Sequence, residues 1–198
     1  MLDWLLPPAC VACLRLLRSD ASGGLCSVCA REVVPAARRS PGAFSHEGAL
    51  RRALSAFKYE RDLSRLGPLA ELIPLGEQTF DHAVAVPLHP RRQRFRGFNQ
   101  SELLLRRALR IHGRDAPLTA LRRTRETPPQ VGLPAHLRKD NVAGAFALSR
   151  RVRSSLRGRR VLLFDDVITT GATLQAAAAP LRSAGAEVTF LALLQAVA

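Results

Sequence analysis

Residues 161–173 have the sequence Val-Leu-Leu-Phe-Asp-Asp-Val-Ile-Thr-Thr-Gly-Ala-Thr, and this stretch decides the fold. Its first four residues are apolar, which is typical of a strand buried on both faces of a parallel sheet. Asp165 and Asp166 follow at the predicted end of that strand. Residues 174–179, Leu-Gln-Ala-Ala-Ala-Ala, are good helix formers, so residues 169–173 are predicted to form a turn that leads into a helix.

The turn between this strand and helix has the composition of an anion-binding site. Backbone N–H groups converge at a helix N-terminus, and the helix dipole adds partial positive charge there. Gly171 lets the backbone approach a phosphate closely, and Thr169, Thr170 and Thr173 can donate hydroxyl hydrogen bonds to its oxygens. The two acids can accept hydrogen bonds from sugar hydroxyls or hold a divalent cation through water. An ordinary strand–turn–helix is the alternative, but the combination favours a ribose 5-phosphate ligand.

The same stretch resembles the signature of the type I phosphoribosyltransferases, in which an apolar strand, an acid pair, an apolar pair and Thr-Thr-Gly-x-Thr follow one another. The resemblance implies that Asp165 and Asp166 are the catalytic-site acids, which bind the ribose hydroxyls of phosphoribosyl pyrophosphate (PRPP) alongside Mg²⁺. It also implies that the loop holds the 5-phosphate through Thr169, Thr170, Gly171, Ala172 and Thr173. The fold follows more firmly than the activity, because a phosphate site can persist without turnover.

All four cysteines lie near the start of the chain, as Cys10-x-x-Cys13 and Cys26-x-x-Cys29. Two such motifs at this separation supply four thiolates for a tetrahedral structural zinc ion. Two disulfides or a redox motif are the alternatives, but the first eight residues lack the basic region of a secretory signal and a redox site needs no duplicate. Because four thiolates leave no position open for water, we expect this zinc to stabilise a module rather than to catalyse.

The length of 198 residues suits one domain of ordinary size and a small appendage. Residues 1–40 are too few to bury a stable core, so we predict a zinc-ribbon-like module in which metal substitutes for burial. Loss of the metal is expected to unfold mainly this module. Residues 41–198 are predicted to form the phosphoribosyltransferase-like domain. No apolar run reaches membrane-spanning length, so we expect a cytoplasmic protein with no membrane insertion.

Predicted strands and helices alternate in the second domain. The predicted strands cover residues 81–87, 117–121, 161–165 and 188–194. The predicted helices cover residues 47–57, 63–73 and 171–184, with a further helix that is capped by Asn99 or Ser101 and runs through Ile111. Residues 122–144 carry prolines among charges and are predicted to be mostly loop. The alternation favours an α/β fold with a parallel sheet, which binds ligands beyond the carboxyl ends of its strands.

The net charge of +14 is unevenly distributed along the chain. Residues 87–164 contain 19 lysines and arginines against four acids, so the positive excess lies within this segment. Such a block indicates a polyanion or a pyrophosphate-bearing substrate, although solvated surface arginines are the simpler explanation for single positions.

Residues 86–100, Val-Pro-Leu-His-Pro-Arg-Arg-Gln-Arg-Phe-Arg-Gly-Phe-Asn-Gln, follow the first predicted strand of the second domain. We predict a loop here, with a backbone stiffened by its prolines. Its arginines can each bind phosphate oxygens with two hydrogen bonds. Arg94, Arg96 and Arg123 are the candidate pyrophosphate-binding residues. Phe95 and Phe98 could stack nucleic-acid bases between these arginines, although burial beneath the loop is the favoured interpretation.

The sequence Arg96-Gly-Phe-Asn-Gln100, together with the paired cysteine motifs, resembles the ComF family of competence-associated proteins. Further matching pieces are Phe57-Lys58-Tyr59-Glu60, Thr127 with Gln130, Arg138 with Asn141, and Gly144-Ala145-Phe146. Arg61 departs from the pattern, because Gly is expected there. The resemblance implies a zinc-bearing module joined to a phosphoribosyltransferase domain. It also implies a role in DNA uptake, with a competence helicase or other DNA-processing proteins as candidate partners.

Three functions remain open from the sequence. The leading hypothesis is an enzyme of nucleotide metabolism that binds PRPP with Mg²⁺ and transfers the phosphoribosyl group with release of pyrophosphate. The second is a non-catalytic module that binds single-stranded DNA or a competence partner. The third is a PRPP sensor that binds without turnover. Pyrophosphate release distinguishes the first from the others, and salt-dependent DNA affinity identifies the second.

Overall fold

A computed structural model describes residues 9–17, 24–38, 40–76, 78–126 and 142–196. Most of the predicted loop over 122–144 therefore lies outside the described residues, together with four of the positions that carry the family resemblance: Thr127, Gln130, Arg138 and Asn141.

Short helices and two sheets make up the described chain. The helices are α1 (Ser27–Arg31), α2 (Gly48–Ser55), α3 (Leu66–Glu71), α4 (Pro90–Arg96), α5 (Gln100–Ile111) and α6 (Ala172–Arg182). The strands are β1 (Gly42–Ser45), β2 (His82–Ala85), β3 (Leu121–Arg123), β4 (Phe146–Leu148), β5 (Arg160–Ile168) and β6 (Glu187–Gln195). A π-helical turn, Ala56–Glu60, directly continues α2.

The main sheet has four parallel strands in the order β1-β6-β5-β2. β5 is central, with Leu163 beside Val84 of β2 on one side and Phe190 of β6 on the other. β3 and β4 form a separate antiparallel pair. The predicted α/β class with a parallel sheet is confirmed.

Residues of β5 alternate between two hydrophobic clusters, one on each face of the sheet. Leu162 and Phe164 belong to the cluster that contains α2, α3 and α5. Val161 and Leu163 belong to the cluster formed with α6 and the β3–β4 pair. Because both faces are covered, the strand is apolar at every position of this run, as the sequence indicated.

The cysteine-rich segment packs into the first of these clusters. Cys10, Val11 and Cys26 are buried together with Leu50 and Leu69 of the second predicted domain. A guanidinium also crosses the junction, since Arg65 donates a hydrogen bond to the carbonyl of Val11. The division of the chain at residue 40 stays a prediction, and the two parts share one hydrophobic cluster.

Two local predictions were wrong. β5 continues to Ile168, so Asp165 and Asp166 lie within the strand rather than after it. The segment predicted as a loop after β2 contains α4, whose N-terminus is capped by the His89 side chain. β1 was also missed, because its four residues carry little hydrophobic signal; it pairs with β6, and its Phe44 forms an isolated antiparallel bridge with Pro35.

None of the described helices has the length and apolar character that a membrane crossing requires.

Candidate functional site

A cavity of about 430 Å³ lies at the carboxyl ends of β2 and β5. The π-helical turn, the segment after β2, the end of β5 and the start of α6 all contribute to its wall. This is the position at which open parallel sheets bind ligands, because strand ends and helix N-termini converge there. The volume falls in the ordinary range for a small-molecule site.

The turn between β5 and α6 supplies one side of the cavity through Thr169, Gly171, Ala172 and Thr173. Gly171 immediately precedes α6 and has a φ of 77°, in the left-handed region that glycine adopts without strain. The helix α6 therefore begins at the cavity, and the free N–H groups of its first turn favour binding of an anion there. Thr170 is exposed and does not line the cavity.

Asp165 and Asp166 both line the cavity, but they have different partners. Asp165 Oδ1 accepts hydrogen bonds from Ser101 Oγ at 2.8 Å and from the Asp166 backbone N–H at 2.9 Å. Asp166 Oδ1 accepts a hydrogen bond from the Val167 N–H at 2.9 Å, and Asp166 Oδ2 lies 2.5 Å from Lys58 Nζ. The two adjacent carboxyl groups are therefore held by separate sets of donors.

These partners give the two acids opposite pKa shifts. Burial, reinforced by the neighbouring Asp166 carboxylate, raises the pKa of Asp165 to about 7. Burial also acts to raise the pKa of Asp166, but the Lys58 ammonium outweighs it and keeps that pKa below its usual value. Near neutral pH the pair carries less than two full negative charges, with the more persistent charge on Asp166.

Four basic side chains share the cavity wall with the acids. Arg51, Lys58, Arg92 and Arg123 all line it. Burial lowers the pKa of Arg123, with a further contribution from the positive charge of Arg92. A cavity that gathers cations and helix N–H groups is suited to a ligand with more than one phosphate.

The three arginines predicted to bind pyrophosphate occupy different places. Arg123 lines the cavity. Arg96 lies beside it, donating a hydrogen bond to the cavity residue Gln100 and stacking over the Tyr59 ring at 5.2 Å. Arg94 is exposed and does not line the cavity. The structure instead brings Arg51 and Arg92 to the site.

Hydrogen bonds and ring packing fix the segment after β2. Asn99 precedes α5 in the capping position, but its side chain makes no cap and donates instead to the Val86 carbonyl at 3.1 Å. Phe98 packs on Phe57 with ring centroids 5.2 Å apart, as the burial interpretation expected. Phe95 is 84% exposed, so its predicted burial was wrong.

Several residues at the cavity were not assigned a role from the sequence. Lys58 is the clearest, since Phe57-Lys58-Tyr59-Glu60 stood out only as a family-like piece. Ser101 was considered only as a helix cap, yet its hydroxyl binds Asp165. His46 also lines the cavity, and burial together with the nearby cations lowers its pKa. No local pattern marks these positions, because chain segments distant in sequence bring them together.

The four cysteines form a second cluster, away from the cavity. Their sulfur atoms all lie within 4.8 Å of one another, and the sulfurs of Cys13 and Cys26 are 3.7 Å apart. Tetrahedral zinc with Zn–S bonds of about 2.3 Å requires sulfurs roughly 3.8 Å apart, so the cluster fits the metal. Cys13 is exposed, and the other three cysteines are buried. The site can therefore hold a metal ion such as zinc.

Backbone groups prepare this cluster for thiolates. The Cys29 N–H points at Cys26 Sγ with a separation of 3.5 Å. Burial opposes ionisation of Cys10, but backbone N–H groups directed at its sulfur, the first of them from Cys26, lower its pKa to about 6. Such N–H···S contacts favour the deprotonated ligand that zinc binds, whereas burial and the neighbouring thiols raise the pKa of Cys29 to about 12.

Comparison with known proteins gives a family match over the second half of the chain. A phosphoribosyl transferase domain matches residues 99–196. The DNA utilization protein YhgH of Escherichia coli K12 is 42% identical over 99 residues, which are 50% of this chain and 42% of that protein. Competence protein F of Haemophilus influenzae is 38% identical over 104 residues, which are 52% of this chain and 45% of that protein.

The aligned segments thus cover less than half the length of these relatives. The residues that the phosphoribosyl transferase domain matches include β5, the acid pair and the turn of residues 169–173. Residues 99–196 thus carry a phosphoribosyl transferase domain, and the similarity to proteins named for DNA utilization and competence supports the predicted resemblance to the ComF family.

Proposed function

We propose that the chain binds PRPP, or another ribose 5-phosphate ligand, in the cavity at the carboxyl ends of β2 and β5. The observation that carries this proposal is the meeting of an acid pair, a helix N-terminus preceded by Gly171 and several cations around one cavity. The 5-phosphate is placed against residues 169–173, the ribose hydroxyls against the acid pair, and the pyrophosphate toward the basic side chains.

We further propose that the protein transfers the phosphoribosyl group to an acceptor and releases pyrophosphate. Arg51, Arg92 and Arg123 would stabilise the negative charge that develops on the leaving pyrophosphate, and the acid pair would stabilise positive charge on the ribose ring. Arg96 is close enough to assist, while a role for Arg94 requires it to approach the cavity. The acid pair could hold Mg²⁺ through water molecules when PRPP brings the ion.

The cellular role proposed for this chain is linked to DNA uptake in natural competence. The relatives named for DNA utilization and competence support it, as does the positive charge of residues 87–164. DNA-processing proteins such as a competence helicase are the proposed partners, in the cytoplasm, where PRPP and nucleotide metabolism are found. The cysteine cluster would hold a structural zinc ion.

A non-catalytic role in binding single-stranded DNA is the second candidate, and one observation favours it. Phe95 is 84% exposed on α4, with Arg94 and Arg96 on either side in sequence. An exposed ring among arginines is the usual arrangement for stacking an unpaired base. The PRPP-sensor alternative uses the same cavity and differs only in the absence of turnover.

Pyrophosphate release from Mg-PRPP, measured with each common nucleobase in turn, tests the enzymatic proposal. We expect release with at least one acceptor, and its loss in the Asp165→Asn, Asp166→Asn double variant. Saturable PRPP binding without pyrophosphate release for any acceptor would favour the PRPP-sensor alternative. If the chain bound no phosphoribosyl ligand, the assigned cavity would be wrong.

A further inference from the structure

The two acids of the cavity are not equivalent in their surroundings. Asp166 Oδ1 accepts a hydrogen bond from the Val167 N–H, and Asp166 Oδ2 is buried in an ion pair with Lys58 Nζ that lacks hydrogen-bond geometry. Asp165 Oδ1 is bonded by Ser101 and by the Asp166 backbone. Within the described part of the chain, no hydrogen-bond donor is seen at Asp165 Oδ2.

The Lys58–Asp166 pair is well shielded from water. The Lys58 side chain is 13% exposed and the Asp166 side chain 6% exposed, and their charged atoms are 2.5 Å apart. A surface ion pair contributes little, but removing one partner of a buried pair leaves an uncompensated charge. The pair is therefore a fixed element of the site rather than an incidental contact.

The backbone that carries Lys58 is unusual and is anchored on both sides. Lys58 lies in the π-helical turn, a rare conformation that often occurs at functional sites. The turn ends at Arg61 in a left-handed conformation, with a φ of 58°, and Arg61 donates a hydrogen bond to the Phe95 carbonyl at 2.5 Å. Tyr59 is held beneath the Arg96 guanidinium. The chain thus maintains a strained segment that brings one ammonium group to Asp166.

We propose that Lys58 is a positioning residue that holds Asp166 as its permanent counter-ion, so that Asp165 is the acid that accepts the ligand's ribose hydroxyl. This inference rests on the proposed function, because it divides the work of the acid pair within that site. It differs from the symmetrical arrangement that the sequence suggested, in which both carboxylates face the sugar.

A double-mutant cycle on thermal stability tests the pairing, using the full zinc-loaded chain with Lys58→Met, Asp166→Asn and both changes together. We expect each single change to lower the Tm by roughly 10 °C, because one member of a buried pair is left alone. The double variant should have a Tm closer to that of the wild type than either single variant. Lys58→Arg keeps the charge, so its Tm should fall less than that of Lys58→Met. Equal losses from Lys58→Met in the presence and absence of Asp166 would overturn the pairing.

The same variants, titrated with ribose 5-phosphate, test the division of roles. Asp165→Asn should raise the Kd for ribose 5-phosphate at least tenfold and leave the Kd for inorganic phosphate, which has no sugar hydroxyl, almost unchanged. Lys58→Met should weaken ribose 5-phosphate binding in the wild-type background and change it less than about threefold in the Asp166→Asn background.

Two outcomes would contradict the assignment of Asp165. In one, the folded Lys58→Met, Asp166→Asn double variant loses as much affinity for ribose 5-phosphate as Asp165→Asn does, which would place Asp166 in contact with the ligand. In the other, the wild type binds neither ribose 5-phosphate nor PRPP, which would also overturn the proposed function. The stability cycle would then still decide whether Lys58 and Asp166 act as a pair.

Discussion

The chain brings ionisable groups of like charge together in two clusters, and that charge is balanced differently in each. The four cysteines converge within 4.8 Å and need a cation from outside the chain to be stable as thiolates. The adjacent acids Asp165 and Asp166 are balanced from within, by Lys58 at 2.5 Å from one of them and by a raised pKa at the other. The first cluster is therefore suited to structure, and the second keeps an acceptor available for a ligand.

Removing the external cation should have the largest effect, because it breaks the first cluster altogether. We expect about one zinc ion per purified chain, and we expect Cys10→Ser or chelation to lower the Tm by roughly 10 °C or more. The sequence alone confined this damage to residues 1–40. Because Cys10 and Val11 pack with Leu50 and Leu69, we expect the whole fold to lose stability instead.

Metal analysis and thermal unfolding with and without chelator check this expectation. Zinc content near zero in freshly reduced protein would contradict the metal assignment. An unchanged Tm after zinc removal would show that the cysteine segment and the sheet unfold independently.

The internal balance of the acid pair can be tested through pH. Because its pKa is raised, Asp165 keeps its proton in the folded state up to about pH 7. In the unfolded chain the same carboxyl has a pKa of about 3.9 and loses its proton at a lower pH. Asp165 therefore contributes stability below about pH 4, and that contribution is lost as the pH rises through about 7. Asp165→Asn removes this titration. Between pH 5 and pH 8 the free energy of unfolding of the variant should therefore rise relative to that of the wild type, by on the order of 2 kcal/mol.

Thermal melts of both proteins across this pH range measure the difference. The pKa of Asp166 lies below its usual value and His46 is present in both proteins, so the comparison mainly reports the titration of Asp165. A Tm difference that is constant from pH 5 to pH 8 would contradict the raised pKa of Asp165.

The backbone side of the second cluster is tested at Gly171. Gly171→Val forces a β-branched residue into a φ of 77° at the start of α6, so affinity for ribose 5-phosphate and inorganic phosphate should both fall roughly tenfold. Gly113→Val is the matched control, since Gly113 also has a positive φ, of 63°, and does not line the cavity. Equal losses of phosphate affinity in the two variants would mean that general strain, not the phosphate cradle, is responsible.

The smallest effect is expected outside both clusters, on the exposed face of α4. If this surface contacts single-stranded DNA, Arg94→Glu should reduce the slope of log affinity against log salt by about one, with little change in Tm. Arg110→Glu, an exposed arginine on α5, serves as the control. DNA affinity that does not change between low and moderate salt would exclude a polyanion role for this face.

The sequence predicted the parts of the molecule that local patterns encode. The apolar run before Asp165, the glycine turn at Gly171 and the paired cysteine motifs each carry a periodicity or spacing with one physical explanation. The sheet class and the position of the acid pair next to the Gly171 turn followed from them.

Other features depend on contacts between distant segments and could not be derived in this way. Lys58 reaches Asp166 across more than a hundred residues of chain, and Ser101 reaches Asp165 across 64. The exposure of Phe95 follows from the helix α4, which the neighbouring prolines and arginines had suggested was a loop. Burial that depends on tertiary packing leaves no local signal in the sequence.

Isothermal titration of the zinc-loaded chain with Mg-PRPP tests the central claim most directly. We expect one saturable site per chain, competed by ribose 5-phosphate, and a loss of affinity on the order of a hundredfold in the Asp165→Asn, Asp166→Asn double variant. Absence of saturable binding by the wild type, or undiminished binding by a folded double variant, would contradict it.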